Sequence, residues 1–290
     1  MQTELTFTCD NHKLTYTTVG HVDAPPLLLI HGWLSYRGVW RQTMEAFKDS
    51  HYCVAIDLLG FGNSDKPTDA DYSIAAQGQR VLQLANSLGF DRFTLMGHSM
   101  GGQIALCIAS MLAPTRVAKL VSVGGVVSAR ATPSVEQVNF RTVALGTKLP
   151  QIYTLSRWFF RYKWFVRSTF QTWFHNMDAV PLDEWAMDRY MVFQPGVHIS
   201  AHKAVQAIHS LNLTAQLDKI TSPTLAIAGQ QDAVVPVSDS HLIKQYVSDS
   251  RLVLIDECGH FPMYEKPHQF IETVRAFLTD KIRSDAAQPR

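Results

Sequence analysis

The chain has 290 residues, 46% of them hydrophobic and 18% charged, with 26 Lys and Arg against 25 Asp and Glu. That size and apolar content suffice for one α/β domain with an inserted subdomain, or for two small domains. A formal net charge of +1 gives no general pull toward nucleic acid, and no apolar run is long enough to cross a membrane.

In chain order, Leu5 to Thr8 and Lys13 to Val19, separated by Asp10-Asn11-His12, read as a hairpin. Apolar strand runs follow near 27–31, 52–56, 92–96, 117–123, 223–228 and 251–256. Helical stretches near 37–47, 73–88, 100–112, 237–246 and 266–279 alternate with them. Continuous apolar strands interleaved with helices predict a parallel sheet covered on both faces. The polar stretch Ser284 to Arg290 reads as a frayed tail. Met1-Gln2-Thr3-Glu4 lacks the basic and apolar regions of a secretory leader, so a soluble cytoplasmic protein is expected. Cys9, Cys53, Cys107 and Cys258 are widely spaced and form no C-x-x-C pair, and they read as core thiols.

The most informative stretch is Gly97-His98-Ser99-Met100-Gly101, between the apolar run Phe93 to Met96 and the small-residue helix that begins at Gly102. A serine on such a strand–turn–helix is held in a strained conformation with its hydroxyl exposed, and glycines two before and two after leave room for the turn. Ser99 is therefore the candidate nucleophile. His31-Gly32-Trp33 follows the strand Leu27 to Ile30, and Asp57-Leu58-Leu59-Gly60-Phe61-Gly62-Asn63-Ser64 follows the strand Cys53 to Ile56.

With these motifs together, the chain resembles the α/β-hydrolase family. The resemblance implies a mostly parallel eight-stranded sheet flanked by helices, with a helical cap inserted after the sixth strand. It divides the chain into a first core part over 1–125, a cap or lid over 126–215 and a second core part over 216–290. It also implies the order nucleophile, acid, histidine. Gly229-Gln230-Gln231-Asp232 and Cys258-Gly259-His260 supply that order, each after a predicted strand, so Asp232 is the expected acid and His260 the expected base. Asp57 is expected to brace its own loop, and Asp256 and Glu257 are too near His260 in sequence to reach its far ring nitrogen. The amides of Met100 and Trp33 are the implied oxyanion donors. The Trp33 side chain either lines the pocket or packs in the core. His31, Gly32, His98, Trp158 and Phe261 are expected around the substrate, with His31 shaping the oxyanion loop and His98 packing the elbow. His198 and His202 stand four apart, but no third ligand accompanies them, so neither a metal nor a cofactor is expected.

The middle of the insertion is unusual. From Gln137 to Met177 there are six basic residues and no Asp or Glu. At helical spacing, Leu155, Trp158, Phe159, Tyr162, Phe165, Val166 and Trp173 fall on one arc, and Arg157, Arg161, Lys163 and Arg167 lie off it with Phe160 and Trp164. The arc is expected to pack on the core and roof the pocket; alternatives are contact with a membrane or lipid surface, or capture of an anionic substrate group by the arginines. The expected activity is ester hydrolysis on lipophilic substrates by a monomer or homodimer. A carbon–carbon bond hydrolase and a small-molecule receptor of the same fold are the alternatives.

Overall fold

The predicted hairpin is formed by β1 (Thr3–Cys9) and β2 (His12–Val19), which pair antiparallel and turn at Asp10 and Asn11. Both turn residues have positive φ, 52° and 62°, a conformation that Asp and Asn tolerate better than most side chains. The computed structural model describes residues 3–132 and 161–280, with 151, 155, 158 and 159 between them. The predicted tail, and Tyr153, Arg157 and Phe160 of the insertion, lie outside the described residues.

The other strands are β3 (Pro26–Ile30), β4 (Tyr52–Ile56), β5 (Phe93–His98), β6 (Val117–Val123), β7 (Thr224–Gly229) and β8 (Ser250–Ile255). They form one sheet in the order β1-β2-β4-β3-β5-β6-β7-β8. β2 joins β4 antiparallel, and every later pairing is parallel. All residues of β5 and β7 are buried, which explains their unbroken apolar runs: a parallel strand covered on both faces has no wet side to alternate with. The chain runs from β3 outward to β4, then returns to place β5 on the other side of β3. The crevice at the carboxyl ends of β3 and β5 is therefore a topological switch point, the usual ligand position in such sheets.

The helices, numbered as described, are α1 (Arg41–Phe47), α2 (Ile74–Ser87), α3 (Met100–Cys107), α4 (Lys163–Phe170), α5 (Leu182–Val192), α6 (Val197–Ser210), α7 (Val237–Tyr246), α8 (Pro262–Glu265) and α9 (Pro267–Thr279). Ser73 caps α2, its hydroxyl accepting from Ala76 N at 3.2 Å. On α9, Phe270, Val274 and Phe277 bury the inward stripe, a spacing of four then three that contributes ~2 kcal/mol per side chain.

Three helical expectations are modified. The stretch 37–47 opens with a 3-10 turn, Arg37–Trp40, before α1. The stretch 100–112 is α-helical only to Cys107 and continues as a π turn, Ile108–Leu112. There Ala113 N bonds to the Ile108 carbonyl, and the Ser110 hydroxyl bonds back to the Leu106 carbonyl at 2.7 Å. The predicted aromatic arc is not one continuous face, because Tyr162 is extended (φ −98°, ψ 118°) and α4 begins only after it. Val166, Phe170 and Trp173 pack inward, whereas Leu155, Trp158, Phe159 and Tyr162 are exposed.

Helices α4 to α6 lie between β6 and β7, in agreement with a cap inserted after the sixth strand. Among the described residues, no helix is long and apolar enough to cross a membrane. All four cysteines are buried and unpaired by disulfide.

Candidate active site

Ser99 follows β5 and caps α3 with φ 56° and ψ −119°, a combination that costs an L-residue on the order of 1–3 kcal/mol and persists only where the surroundings over-determine it. The surroundings here are close. Ser99 N donates to the Val123 carbonyl at 2.9 Å, and its own carbonyl accepts from Gln103 N at 3.0 Å and Val126 N at 3.3 Å. A Cβ at Gly97 would overlap the Gly101 carbonyl, and one at Gly101 would overlap the carbonyls of Ile30 and His31. The two glycines therefore let strand, turn and the loop after β3 touch backbone to backbone.

Asp232 follows β7 and His260 follows β8, so both arrive at the same sheet edge as Ser99. His260 Nδ1 donates to Asp232 Oδ2 at 2.8 Å, with both residues buried. The other carboxylate oxygen of Asp232 accepts from Val234 N at 2.8 Å and Val235 N at 3.0 Å, which orients the acid before any substrate arrives. With Nδ1 protonated, Nε2 of His260 carries the lone pair that can receive a proton. An added Cβ on Gly124, just after β6, would sit 3.2 Å from Asp232 Oδ2 and 3.4 Å from His260 Nδ1. Thus the residues following β6, β7 and β8 meet at one point. Asp57 is fully buried and accepts from Arg37 N at 2.7 Å, from the Arg37 guanidinium and from Asn63 N at 2.8 Å. It braces its loop, as expected, and plays no part in the His260 pair.

Met100 N is the first amide of α3, among the donors that a helix start leaves without an intrahelical partner. Gly32, before Trp33, lies against Ser99: a Cβ there would come within 2.9 Å of Ser99 Cβ. The Trp33 indole is buried and donates to the Ala201 carbonyl of α6 at 2.9 Å, so its side chain ties the 31–33 loop to the cap.

Of the residues expected around the substrate, His31, His98 and Phe261 are buried and Trp158 is exposed. His31 is fully buried, and its Nε2 accepts from Leu58 N at 3.0 Å, which leaves Nδ1–H to donate to the Gly32 carbonyl at 2.8 Å. Burial pulls its pKa down to about 4, so the ring is neutral, and its two hydrogen bonds join the 31–33 stretch to Leu58. His98 is also buried. Its Nε2–H donates to the His260 carbonyl at 2.8 Å, and its ring lies 4.5 Å from that of His260. Burial first, and then the neighbouring His260 ring, hold its pKa well below the ordinary histidine value. Phe261 is 1% exposed, stacked at 6.0 Å on Trp173 and at 5.3 Å on Phe174, with Trp185 edge-on at 5.0 Å; it is a packing hub and not a wall of open space. Trp158 is 64% exposed with the Arg161 guanidinium 4.0 Å over its ring. Trp173, inside the cap, holds the place beside the histidine, since its carbonyl accepts from His260 N at 2.9 Å.

Two buried groups escaped the sequence reading. Glu265 receives Gly259 N at 2.7 Å, His175 N at 2.8 Å and Asn176 N at 2.9 Å, and so joins the histidine loop to the cap. Burial raises its pKa, and these three donors partly offset the effect. Its position in the run after His260 was the available signal. On α5, Asp188 accepts from Tyr36 at 2.7 Å, from Arg41 at 3.3 Å and from Tyr264, while Arg189 donates to the Leu34 carbonyl at 2.6 Å. A charged pair in the middle of a short helix reads as a solvated face, and only the fold shows it turned inward.

Among the described residues, no group of three or more His, Cys, Asp and Glu side chains is placed to hold a metal ion. Residues 25–267 match the alpha/beta hydrolase fold family. The chain is similar to the pimeloyl-[acyl-carrier protein] methyl ester esterase of Nitrosomonas europaea, 26% identical with 86% of this chain and 94% of the other covered. It is also similar to the 2-hydroxymuconate semialdehyde hydrolase of Pseudomonas sp. (strain CF600), 28% identical over 90% and 88%. Among solved structures, a membrane phospholipase A described as a bacterial virulence factor superposes with a TM-score of 0.76 at 28% identity, covering 96% of this chain and 86% of that one.

Proposed function

This chain belongs to the α/β-hydrolase family, and from that premise we propose that it is a serine hydrolase that cleaves carboxylic esters of lipophilic substrates through an acyl-enzyme. The observation that carries the reading is the convergence of a strained Ser99 with a buried 2.8 Å His260–Asp232 pair at the carboxyl edge of one sheet. In this scheme the Ser99 hydroxyl attacks the ester carbonyl while His260 Nε2 takes its proton. The backbone amides of Met100 and Trp33 receive the negative charge that develops on the carbonyl oxygen; one such donor is worth ~3 kcal/mol in the transition state. His260 then returns the proton to the leaving alcohol. Water, deprotonated by the same nitrogen, attacks the acyl-enzyme and releases the acid. Asp232 keeps the imidazole in the required tautomer and stabilises the imidazolium.

The preference for lipophilic groups is supported by the aromatic wall of Trp33, Trp173 and Phe174 close to the site, and by the likeness to a phospholipase. A second reading, hydrolysis of a carbon–carbon bond, is favoured by the likeness to the semialdehyde hydrolase. The test is turnover of p-nitrophenyl esters from acetyl to palmitoyl by wild type and Ser99→Ala. Turnover that requires Ser99 and peaks above the short acyl chains is expected. Ester turnover that survives in Ser99→Ala would refute the proposal. Absent ester turnover with Ser99-dependent cleavage of a ring-fission product would transfer the site to the second reading, and a ligand that raises the melting temperature without turnover would make the protein a receptor.

A further inference from the structure

Five large hydrophobic side chains stand in solvent within ten residues: Leu155 at 61% exposure, Trp158 at 64%, Phe159 at 47%, Tyr162 at 49% and Trp164 at 66%. Isolated exposed apolar residues need no explanation, but a local concentration of this kind does. Their surroundings are basic. Arg161 lies over the Trp158 ring, and Lys163 and Arg167 flank Trp164 in sequence, with no acidic residue between Gln137 and Met177. Lys163 pairs with Asp183 and Arg167 with Asp178; both carboxylates are well exposed, so these are solvent-screened surface ion pairs that another anion can replace.

We propose that this outer face of the cap docks on an anionic lipid surface. Tryptophan, tyrosine and phenylalanine side chains would enter the headgroup boundary while Arg161, Lys163 and Arg167 meet lipid phosphates. Charge complementarity selects this occupant. A second copy of the chain seated on the same face by a two-fold axis would bring Arg161, Lys163 and Arg167 of each copy together with only Asp178 and Asp183 to offset them, whereas anionic lipid adds the missing negative charge. The opposite side of α4 is firmly seated, since Val166 and Phe170 are buried and Phe170 meets Trp173 edge-on at 5.1 Å. Trp164 is therefore on the outer side of a helix whose inner side meets Trp173, the residue that binds His260 N, and Leu155, Trp158, Phe159 and Tyr162 precede that helix. This docking is independent of which bond the site cleaves.

The test is flotation of the full chain with phosphatidylcholine vesicles and with vesicles containing equal phosphatidylglycerol, comparing wild type, the double variant Phe159→Ser/Trp164→Ser, and Arg161→Glu. Wild type is expected to bind the anionic vesicles, with binding weakened at high salt. Both variants should lose at least tenfold in vesicle partitioning while retaining the wild-type melting temperature and turnover of a soluble short-chain ester. Equal partitioning of wild type and variants, or no binding of wild type to anionic vesicles, would overturn the proposal. So would lipid-free dimers that the same variants dissociate, since the face would then be an interface between copies. The soluble-ester measurement reports on the catalytic reading separately, so the two can fail independently.

Discussion

Replacing His31 with Gln tests the assignment of that ring as a neutral structural group. In the folded chain Nε2 is occupied by Leu58 N–H and Nδ1–H by the Gly32 carbonyl, and burial pulls the pKa from 6.5 to about 4. In the unfolded chain the ordinary value returns. Above pH 6.5 both states are neutral and the residue contributes no pH dependence. Between 6.5 and about 4 only the unfolded chain takes the proton, so stability falls as the solution is acidified. At ~1.36 kcal/mol per pH unit, the loss from this residue is about 2 kcal/mol on going from pH 8 to pH 5, and about 3 kcal/mol by pH 4. His98 adds to the same slope because it is shifted in the same direction. Asp57 and Glu265, raised by burial, work in the opposite sense, since the folded state then binds the proton first. Comparison with the variant removes these common contributions. Glutamine can accept from Leu58 N and donate to the Gly32 carbonyl, yet it cannot titrate. Urea unfolding at pH 8 and pH 5 should show that His31→Gln loses about 2 kcal/mol less than wild type on acidification. Equal losses would refute the neutral, buried assignment.

Asp232→Asn should lower kcat for a soluble ester by on the order of 10⁴, because a carboxamide permits the wrong His260 tautomer. Its oxygen can still accept from Val234 N and Val235 N, so the melting temperature, read by circular dichroism, should change little. Glu265→Gln presents one acceptor oxygen where three backbone N–H groups converge from Gly259, His175 and Asn176. A loss of ~2 kcal/mol is expected, with faster hydrogen exchange at those three amides; unchanged exchange would show that Glu265 does not hold the two loops together.

The sheet was legible because its strands are covered on both faces, so Leu27 to Ile30, Cys53 to Ile56 and Thr224 to Gly229 carry apolar runs that tolerate almost no polar residue. The elbow was legible for a related reason: Gly97 and Gly101 are dictated by backbone contacts that no side chain survives. Positions set by pairing across the fold were harder to read. Asp188 and Glu265 gain their meaning from partners 76 and 90 residues away, and locally each resembles a solvated charge. The burial of Phe261 and the exposure of Trp158 could not be read locally, because a single aromatic residue carries no sign of whether it fills a core, lines a cavity or faces water. The arc over 155–173 failed at Tyr162, whose extended backbone interrupts the helical period that the arithmetic assumed.

The cap is bonded to both halves of the proposed catalytic apparatus. Arg189 holds the Leu34 carbonyl and Ala201 receives the Trp33 indole, so two cap helices fix the loop that carries one proposed oxyanion donor. Trp173 accepts the backbone N–H of His260, and Glu265 binds His175 and Asn176 of the cap together with Gly259. A lid that swung away as one body would have to break all of these bonds, several of them buried and costing ~1–3 kcal/mol each to leave unmade. The same motion would free the histidine loop and the oxyanion loop together, and the geometry that catalysis requires would be lost during entry. Substrate access that keeps the apparatus intact must therefore leave Trp173, α5 and α6 in place.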